Sequence, residues 1–379
     1  MWLYMGMTLL TIGLGVLIVH PQAAGVNTKT PYRDVYIGIT RQDMLNRICM
    51  AAVFIVLFAV AACRINVGND YARYVEFMHL VYSGAYVPTE VGFNLLTWLI
   101  YHLCGYENFL LVFAVFAFLI PAVFLAAFWQ QADSFTWTFA MFMLLGYYFQ
   151  SISTVRYYLA LGIAVYSIRY VIERDWPRFV LLILIGSTFH KSLLVVLVLY
   201  VLAQMKWKKW MAFAGGCLCI TFVFLRDQYL QLAVWLYPSY KNTEYLSGGT
   251  SYVNIARCIA VLILSLLYYR QTVRGNRRIE FYFHCNILAL VLYVFCSFLP
   301  VISRIGYYLT VTQILFIPAI LLRIPEDRQR KLFKALTVLA CAGYFIMYMR
   351  HAGDDGVRIL PYQTFMFHDM PPILSDKGY

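Results

Sequence analysis

Residues Gly186–Val196 read GSTFHKSLLVV and lie inside an apolar run of 24 residues, Phe179–Leu202. A continuous helix of that length would extend about 36 Å, enough to cross the roughly 30 Å hydrocarbon core of a bilayer. His190 and Lys191 fall near the middle of the run, where an ionised side chain is costly. The run is therefore either one span with a buried charge or two half-helices joined by a polar tip.

The composition indicates a membrane protein throughout. Of the 379 residues, 62% are hydrophobic and 13% are charged, whereas soluble domains have about 25% charged residues. We expect one integral membrane domain, residues 1–379. The net charge of +12 does not indicate nucleic-acid binding, because membrane proteins collect Lys and Arg in their cytoplasmic loops. No nucleic-acid partner is expected.

Apolar runs that could cross the membrane recur along the chain. They are 1–20, 48–63, 107–129, 134–149, 156–171, 179–202, 207–225, 253–270, 280–299, 304–322 and 331–349. The pattern predicts an all-α polytopic membrane protein with about 11–12 transmembrane helices.

Charge fixes the orientation of these runs. Five connecting segments hold 19 of the 30 Lys and Arg residues: 21–47, 169–178, 205–210, 270–279 and 323–334. By the positive-inside rule, these segments are cytoplasmic.

The same rule decides how the opening run is interpreted. Arg178 and Lys206 flank it, and both belong on the cytoplasmic side, so the run should enter and leave by one face. We predict a short helical hairpin over 179–203, with helices 179–188 and 192–203 and the FHKS tip on the outer side. Gly186, Ser187 and Thr188 weaken the helix just before this tip. The alternative is one straight span from which Lys191 snorkels to the interface.

Each crossing takes the chain to the opposite side of the membrane, and this alternation assigns a side to the remaining segments. The outer side receives 64–106, the aromatic-rich loop 226–252 and the tail 351–379. Within 64–106, the apolar stretch Val91–Leu103 is too short to cross and should lie in the interface.

Two arginines on this outer face are candidate anion ligands. Arg156 and Arg304 each begin a hydrophobic helix directly after a crossing. Such a position offers a guanidinium fork together with free backbone N–H groups at the positive helix end. Both therefore suit a phosphate or pyrophosphate, with Arg64 and Lys191 assisting. The alternative is that each arginine anchors to lipid headgroups.

Three residues on the same face could act as a general base: His190, Asp70 and Glu90. At a helix start the dipole would keep His190 neutral and able to accept a proton. The alternatives are a His190 that is bonded within its turn, and carboxylates that pair with arginine or orient a sugar hydroxyl. The sequence does not rank the three.

Aromatic side chains complete the outer face. Tyr74, Tyr308 and Tyr362 are candidate sugar contacts, and 226–252 adds Tyr229, Trp235, Tyr237, Tyr240, Tyr245 and Tyr252. Such rings offer apolar faces and polar tips, although an interfacial aromatic belt would look the same. None of the nine cysteines has zinc spacing, and we expect neither metal nor cofactor. Asp354-Asp355 is only a weak cation pattern.

Several short motifs resemble the EpsG/Wzy-type family of bacterial polysaccharide polymerases. They are GNDYARYVEF from Gly68, the following Glu90-Val-Gly-Phe, STVRYYLALGIA from Ser153, TFHKSLLV from Thr188, SRIGYY from Ser303 and LPY from Leu360. They run in the expected order over roughly residues 60–365. A departure from the family pattern lies at Val155-Arg156-Tyr157, where the family is expected to have a small residue before the arginine and Gln after it.

The resemblance implies a GT-C-like, metal-independent glycosyltransferase of the bacterial inner membrane, acting on the periplasmic side. Its substrates would be undecaprenyl-pyrophosphate-linked oligosaccharide repeat units, held among membrane lipids. The growing chain would leave its carrier for the non-reducing end of the next unit. A chain-length-regulating co-polymerase is a further partner that the resemblance implies.

Two other functions remain open. An O-antigen-ligase-like enzyme would transfer the chain to another lipid. A flippase or transporter of the lipid-linked oligosaccharide would need polar residues along a path through the midplane, whereas the charges here crowd one face.

The predicted tip can be tested by labelling. In a variant without native cysteines, His190→Cys should react with a membrane-impermeant thiol reagent added outside intact spheroplasts. Lys331→Cys, in a segment predicted to be cytoplasmic, should react only after the cells are opened. Labelling of position 190 solely from the inside would contradict the predicted orientation.

Overall fold

The computed structural model describes residues 1–19, 40–236, 249–299, 302–354 and 356–368. Within these ranges the chain is built of α-helices, and the one β-type pairing is an isolated antiparallel bridge between Arg64 and Thr364. The prediction of an all-α fold is confirmed.

The helices follow one another along the chain. They are Trp2–Val16 (α1), Arg41–Ala62 (α2), Tyr71–Tyr82 (α3), Val91–Cys104 (α4), Phe109–Gln131 (α5), Phe135–Leu144 (α6), Tyr147–Ser153 (α7), Val155–Glu173 (α8), Trp176–Ser187 (α9), Val195–Gln204 (α10), Lys209–Phe224 (α11), Arg226–Leu236 (α12), Tyr252–Leu267 (α13), Arg277–Phe295 (α14), Ile302–Thr310 (α15), Gln313–Arg323 (α16) and Asp327–Arg350 (α17).

Six stretches of the described chain are long and apolar enough to cross a bilayer: α2, α5, α8, α14, the run Ile302–Arg323 and α17. A seventh is counted if α11 and the start of α12, bent by 88° at their junction, form one span. The other apolar helices have 10–17 residues, shorter than the roughly 20 that a straight span needs. The polytopic fold is thus confirmed. The predicted total of 11–12 spans requires the shorter helices to insert as well, and the GT-C-like arrangement stays a prediction.

The chain forms two compact units. Unit 1 comprises Met1–Tyr166, Leu184–Lys191 and Arg328–Tyr379, and unit 2 comprises Ser167–Ile183 and Ser192–Asp327. Each unit is described by itself below, and the predicted single domain stays a prediction.

Unit 1 is organised around α5, which packs against α2, α4, α6 and α7. Phe113, Phe116 and Phe124 on this helix are fully buried, and the Phe124 ring lies 4.8 Å from that of Phe142 on α6. Large aromatic side chains contribute most of the stabilisation available from close packing. This aromatic core is the base to which the loops of unit 1 are attached.

Unit 2 is organised around α14, which contacts α10, α11, α13, α15 and α16. Inside it, Asn286 on α14 accepts a hydrogen bond from Gln313 on α16 at 2.7 Å and donates one to the Cys258 carbonyl at 3.0 Å. Buried amides are costly unless they are paired, so these bonds specify how α13, α14 and α16 meet.

Three apolar runs of the sequence are divided between helices, and one of them, 304–322, is divided between α15 and α16. The run 134–149, predicted as one span, is divided into α6 and α7 at Leu145 and Gly146. The run 179–202 is divided as predicted: α9 ends at Ser187, and a 3₁₀ turn, Lys191–Leu194, precedes α10. The return of both half-helices to one membrane face stays a prediction.

Hydroxyl side chains explain why α9 ends there. Ser187 Oγ donates to the Leu184 carbonyl at 2.7 Å, and Thr188 Oγ1 donates to the Ile185 carbonyl at 2.6 Å. Such local bonds compete with continuation of the helix. The polar tip, Thr188–Lys191, therefore follows from the sequence itself.

The loop between α2 and α3 approaches the α7–α8 junction closely. Gly68 has a φ of +107°, and a Cβ there would lie 2.9 Å from Ser153 Cα and 3.0 Å from the Ile152 carbonyl oxygen. Asn69 N donates to Ser153 Oγ at 2.9 Å. The neighbouring atoms belong to the backbone of Ile152 and Ser153, so no flexible side chain could move aside to make room for a Cβ at Gly68.

Gly68→Ala should destabilise the protein more than Gly84→Ala. Both glycines have positive φ, but the space around Gly84 is open. We expect about 1–2 kcal/mol of backbone strain in each variant and a further loss of about 1–3 kcal/mol in Gly68→Ala from overpacking. Thermal unfolding in detergent measures both, and equal midpoints would contradict the close approach.

Candidate active site

Arg156 occupies the position predicted for it, in the first turn of α8. Its guanidinium carbon lies 5.4 Å from the centre of the Tyr74 ring and 5.3 Å from that of Phe93. Cation–π contacts of this kind favour a fixed guanidinium plane. Arg156 Nε is buried and has no hydrogen-bond partner among the described residues, so part of the donor fork is still unused.

Glu90 binds Arg156 directly. Its Oε2 accepts a hydrogen bond from Arg156 Nη1, and the two side chains are only 17% and 16% exposed. Glu90 is the residue before the first turn of α4, and its carboxylate makes no capping hydrogen bond to that helix. The pair joins segments 66 residues apart in sequence, and no local pattern could have predicted it.

The polar tip docks on the same carboxylate. Lys191 N donates to Glu90 Oε1 at 3.2 Å, and Gly92 N donates to the Thr188 carbonyl at 2.7 Å. Gly92 allows this approach because a Cβ there would lie 2.4 Å from Thr188 Oγ1. Both oxygens of Glu90 are therefore engaged.

His190 lies at the centre of the tip. Its half-buried ring meets the Tyr157 ring edge-on, with centroids 5.3 Å apart, and the preceding Phe189 anchors the tip edge-on against Phe116. The Lys191 side chain is exposed. His190, Glu90, Arg156, Tyr74 and the Lys191 backbone thus belong to one cluster, which we call the tip cluster.

Asp70 lies at the start of α3 and is half-buried. It follows Asn69, whose amide is bonded to Ser153, three residues before Arg156. Tyr74 N donates to the Asp70 carbonyl at 2.9 Å, so one turn of α3 connects Asp70 to the tip cluster. Its candidacy as a base stays a prediction.

Arg64 is placed beneath the surface. It is 1% exposed, donates from Nη1 to the Ala61 carbonyl at 2.5 Å, and lies 5.0 Å from the centre of the Phe113 ring. Its Nε and Nη2 have no hydrogen-bond partner in the described part of the chain. Burial lowers the pKa of this guanidinium. Arg64 could contact a pyrophosphate directly only if the residues that bury it moved.

The side chains of Tyr74 and Tyr362 make their contacts with other parts of the protein. Tyr74 is buried beneath Arg156. Tyr362 is half-buried and its hydroxyl donates to the Val60 carbonyl at 3.0 Å, while burial raises the pKa of this phenol to about 12. Their predicted contact with sugar stays a prediction.

Most of the other predicted residues belong to unit 2. Arg304 is exposed in the first turn of α15, and Tyr308 is buried, its hydroxyl 2.9 Å from Ser192 Oγ. Trp235 and Tyr252 are exposed, whereas Tyr237, Tyr240, Tyr245 and Asp355 lie outside the described residues. Arg304 and Arg156 belong to different units, so the predicted pairing of the two arginines stays a prediction.

Three residues that contact the tip cluster were not singled out as site residues from the sequence. They are Gly92, Phe93 and Tyr157. Gly92 and Phe93 lie two and three residues after Glu90, and Tyr157 follows Arg156. Their closeness in sequence to a charged candidate residue was the one signal that could have identified them. In the described ranges, no group of three His, Cys, Asp or Glu side chains could hold a metal ion.

Gly92→Ala should release the tip. The new methyl group would meet Thr188 Oγ1 and the Thr188 carbonyl, and overpacking of this kind costs about 1–3 kcal/mol. Gly343→Ala, in an open position on α17, is the control, and should be neutral or stabilising. Thermal unfolding and the thiol-labelling rate of a cysteine at position 190 report the result. Identical behaviour of the two variants would contradict the docking.

Comparison with known proteins gives a family and nothing narrower. The model of the EpsG family matches residues 47–364. No curated protein and no solved structure gives a significant match. The matched range contains α3, α4, α8 and the polar tip, and with them the whole tip cluster. The chain therefore belongs to the EpsG family, multi-pass membrane proteins of the polysaccharide-polymerase type that act in polysaccharide biosynthesis.

Proposed function

We propose that the protein is a polysaccharide polymerase of the bacterial inner membrane with its active site open to the periplasm. It transfers a growing glycan from undecaprenyl pyrophosphate to the non-reducing end of a lipid-linked repeat unit. The observation that carries the proposal is the tip cluster: a fixed arginine with an unused donor, a carboxylate that orients it and a histidine beside it. The family match supports the same class of reaction.

The arginines bind the leaving group in this proposal. A guanidinium has five N–H donors, of which Glu90 accepts from one on Arg156, and in this proposal donors that remain on the 16% exposed side chain bind the donor pyrophosphate. Arg304 supplies a second positive charge. As the anomeric C–O bond breaks, its electron pair leaves with the pyrophosphate, and these charges stabilise the product anion. The arginines supply the stabilisation that a divalent metal supplies elsewhere, so the proposed reaction requires no metal.

His190 takes the proton of the acceptor hydroxyl as that oxygen bonds to the anomeric carbon. Glu90 is less suited to this step, because both of its oxygens already accept hydrogen bonds. We assign Glu90 the orientation of Arg156 and of the tip. Asp70 remains the second candidate for the base.

Purified protein with lipid-linked repeat unit should form a ladder of products. Arg156→Ala and Arg304→Ala should each reduce the rate by about 10²- to 10³-fold, as expected when a stabiliser of developing charge is lost. Arg350→Gln, at an exposed position on α17, is the control and should leave the rate unchanged. Wild-type rates in both alanine variants would refute the pyrophosphate assignment.

The products also separate the alternative functions. A ligase would make a single transfer, and only when the second lipid acceptor is supplied. A flippase would move the substrate across a vesicle membrane without changing its length. Either result from the wild-type protein, in the absence of a ladder, would replace the proposed function.

A further inference from the structure

We propose that residues 357–365 form a strap that positions the candidate active site, with Arg358 and Tyr362 as its positioning residues. Only the catalytic consequence of this proposal rests on the proposed function. The strap connects the C-terminal part of unit 1 with the loop 63–68, which leads to Asp70 and touches the segment before Arg156.

Backbone hydrogen bonds join the strap to the loop. Ile65 N donates to the Gln363 carbonyl at 3.0 Å, and Phe365 N donates to the Cys63 carbonyl at 3.3 Å. These bonds flank the Arg64–Thr364 bridge, so the two segments run antiparallel there. Further along, Gly68 N donates to the Arg358 carbonyl at 2.8 Å. Both ends of the loop are therefore held by the strap.

Side chains fix this arrangement. Arg358 Nη2 donates to Asn66 Oδ1 at 3.0 Å, and both residues have positive φ, 47° and 52° respectively. Left-handed backbone is unfavourable for side chains other than glycine and persists where the surroundings stabilise it. The bond between Arg358 and Asn66 links the two strained residues to each other.

The strap itself is anchored from two helices. Tyr362 donates to the Val60 carbonyl near the end of α2, at 3.0 Å, and Tyr4 on α1 donates to the Ile359 carbonyl at 3.1 Å. The hydroxyl of Tyr362 is thus committed to the backbone of α2. This contact accounts for the residue without any ligand.

The loop 63–68 connects the strap to Arg156. Gly68 touches the backbone of Ile152 and Ser153, and Asn69 N is bonded to Ser153 Oγ. Ser153 ends α7, and α8 begins two residues later, with Arg156 in its first turn. A shift of the loop would therefore move both Asp70 and the start of α8. Displacement of catalytic groups by about 1 Å can cost about 100-fold in rate.

Hydrogen exchange tests the coupling without any activity. In Arg358→Gln and Tyr362→Phe, the amides of the loop 65–69 should exchange about tenfold faster than in the wild type, and those of 154–158 should follow. Arg350→Gln and Tyr86→Phe are the matched controls, because both side chains are exposed. Faster exchange confined to 357–365 would overturn the proposal.

Kinetics test the consequence for catalysis. Both variants should lower kcat about tenfold, because Arg156 stabilises the transition state in the proposed reaction, whereas KM for the lipid-linked unit should change about twofold or less. A purely structural role would lower the folded fraction and leave kcat per folded molecule unchanged, and that result would overturn the positioning role. If the wild type forms no polymer, the proposed function fails, and the exchange result alone decides the strap.

Discussion

The carboxylate of Glu90 is the constraint on which the candidate site depends. One oxygen accepts from Arg156 and the other from the Lys191 backbone, so a single side chain joins the start of α8, the start of α4 and the polar tip. Charge-assisted bonds in a largely buried setting are stronger than those on a surface, and the aromatic rings of Tyr74 and Phe93 limit where the guanidinium can lie. The two bonds and the two rings together fix where the charges of Glu90 and Arg156 lie.

Much of the architecture could be predicted from the sequence because its causes are local. The apolar composition decides that the fold is helical and in a membrane, and the break in the run 179–202 follows from Gly186, Ser187 and Thr188 together with two ionisable residues. The helix starts before Arg156 and Arg304 were likewise predicted correctly. An ionisable group in the middle of an apolar run is costly in the hydrocarbon core, so the helix must either break there or bring the group to the membrane surface.

The internal contacts of the site could not be predicted in the same way. The sequence offers Glu90 as a base, as a sugar ligand or as a partner of an arginine, and only the fold brings it to Arg156, 66 residues away. Arg64 is similar: an arginine after a span is expected at the surface, but here it turns back to the Ala61 carbonyl and is buried. The division of 134–149 into α6 and α7 was also not predicted, because two short apolar helices have the same composition as one long helix.

The distance along the chain between the two halves of the strap contact has a consequence for biosynthesis. Asn66 and Arg358 are 292 residues apart, so a ribosome must add that many residues before the loop preceding Asp70 can acquire its partner. Closing so long a segment carries an entropic cost that the earlier helices do not share. A nascent chain could thus integrate α2 and α5 and still lack an ordered reaction centre. The candidate site would become ordered only after residues 357–365 have been synthesised and have met the loop.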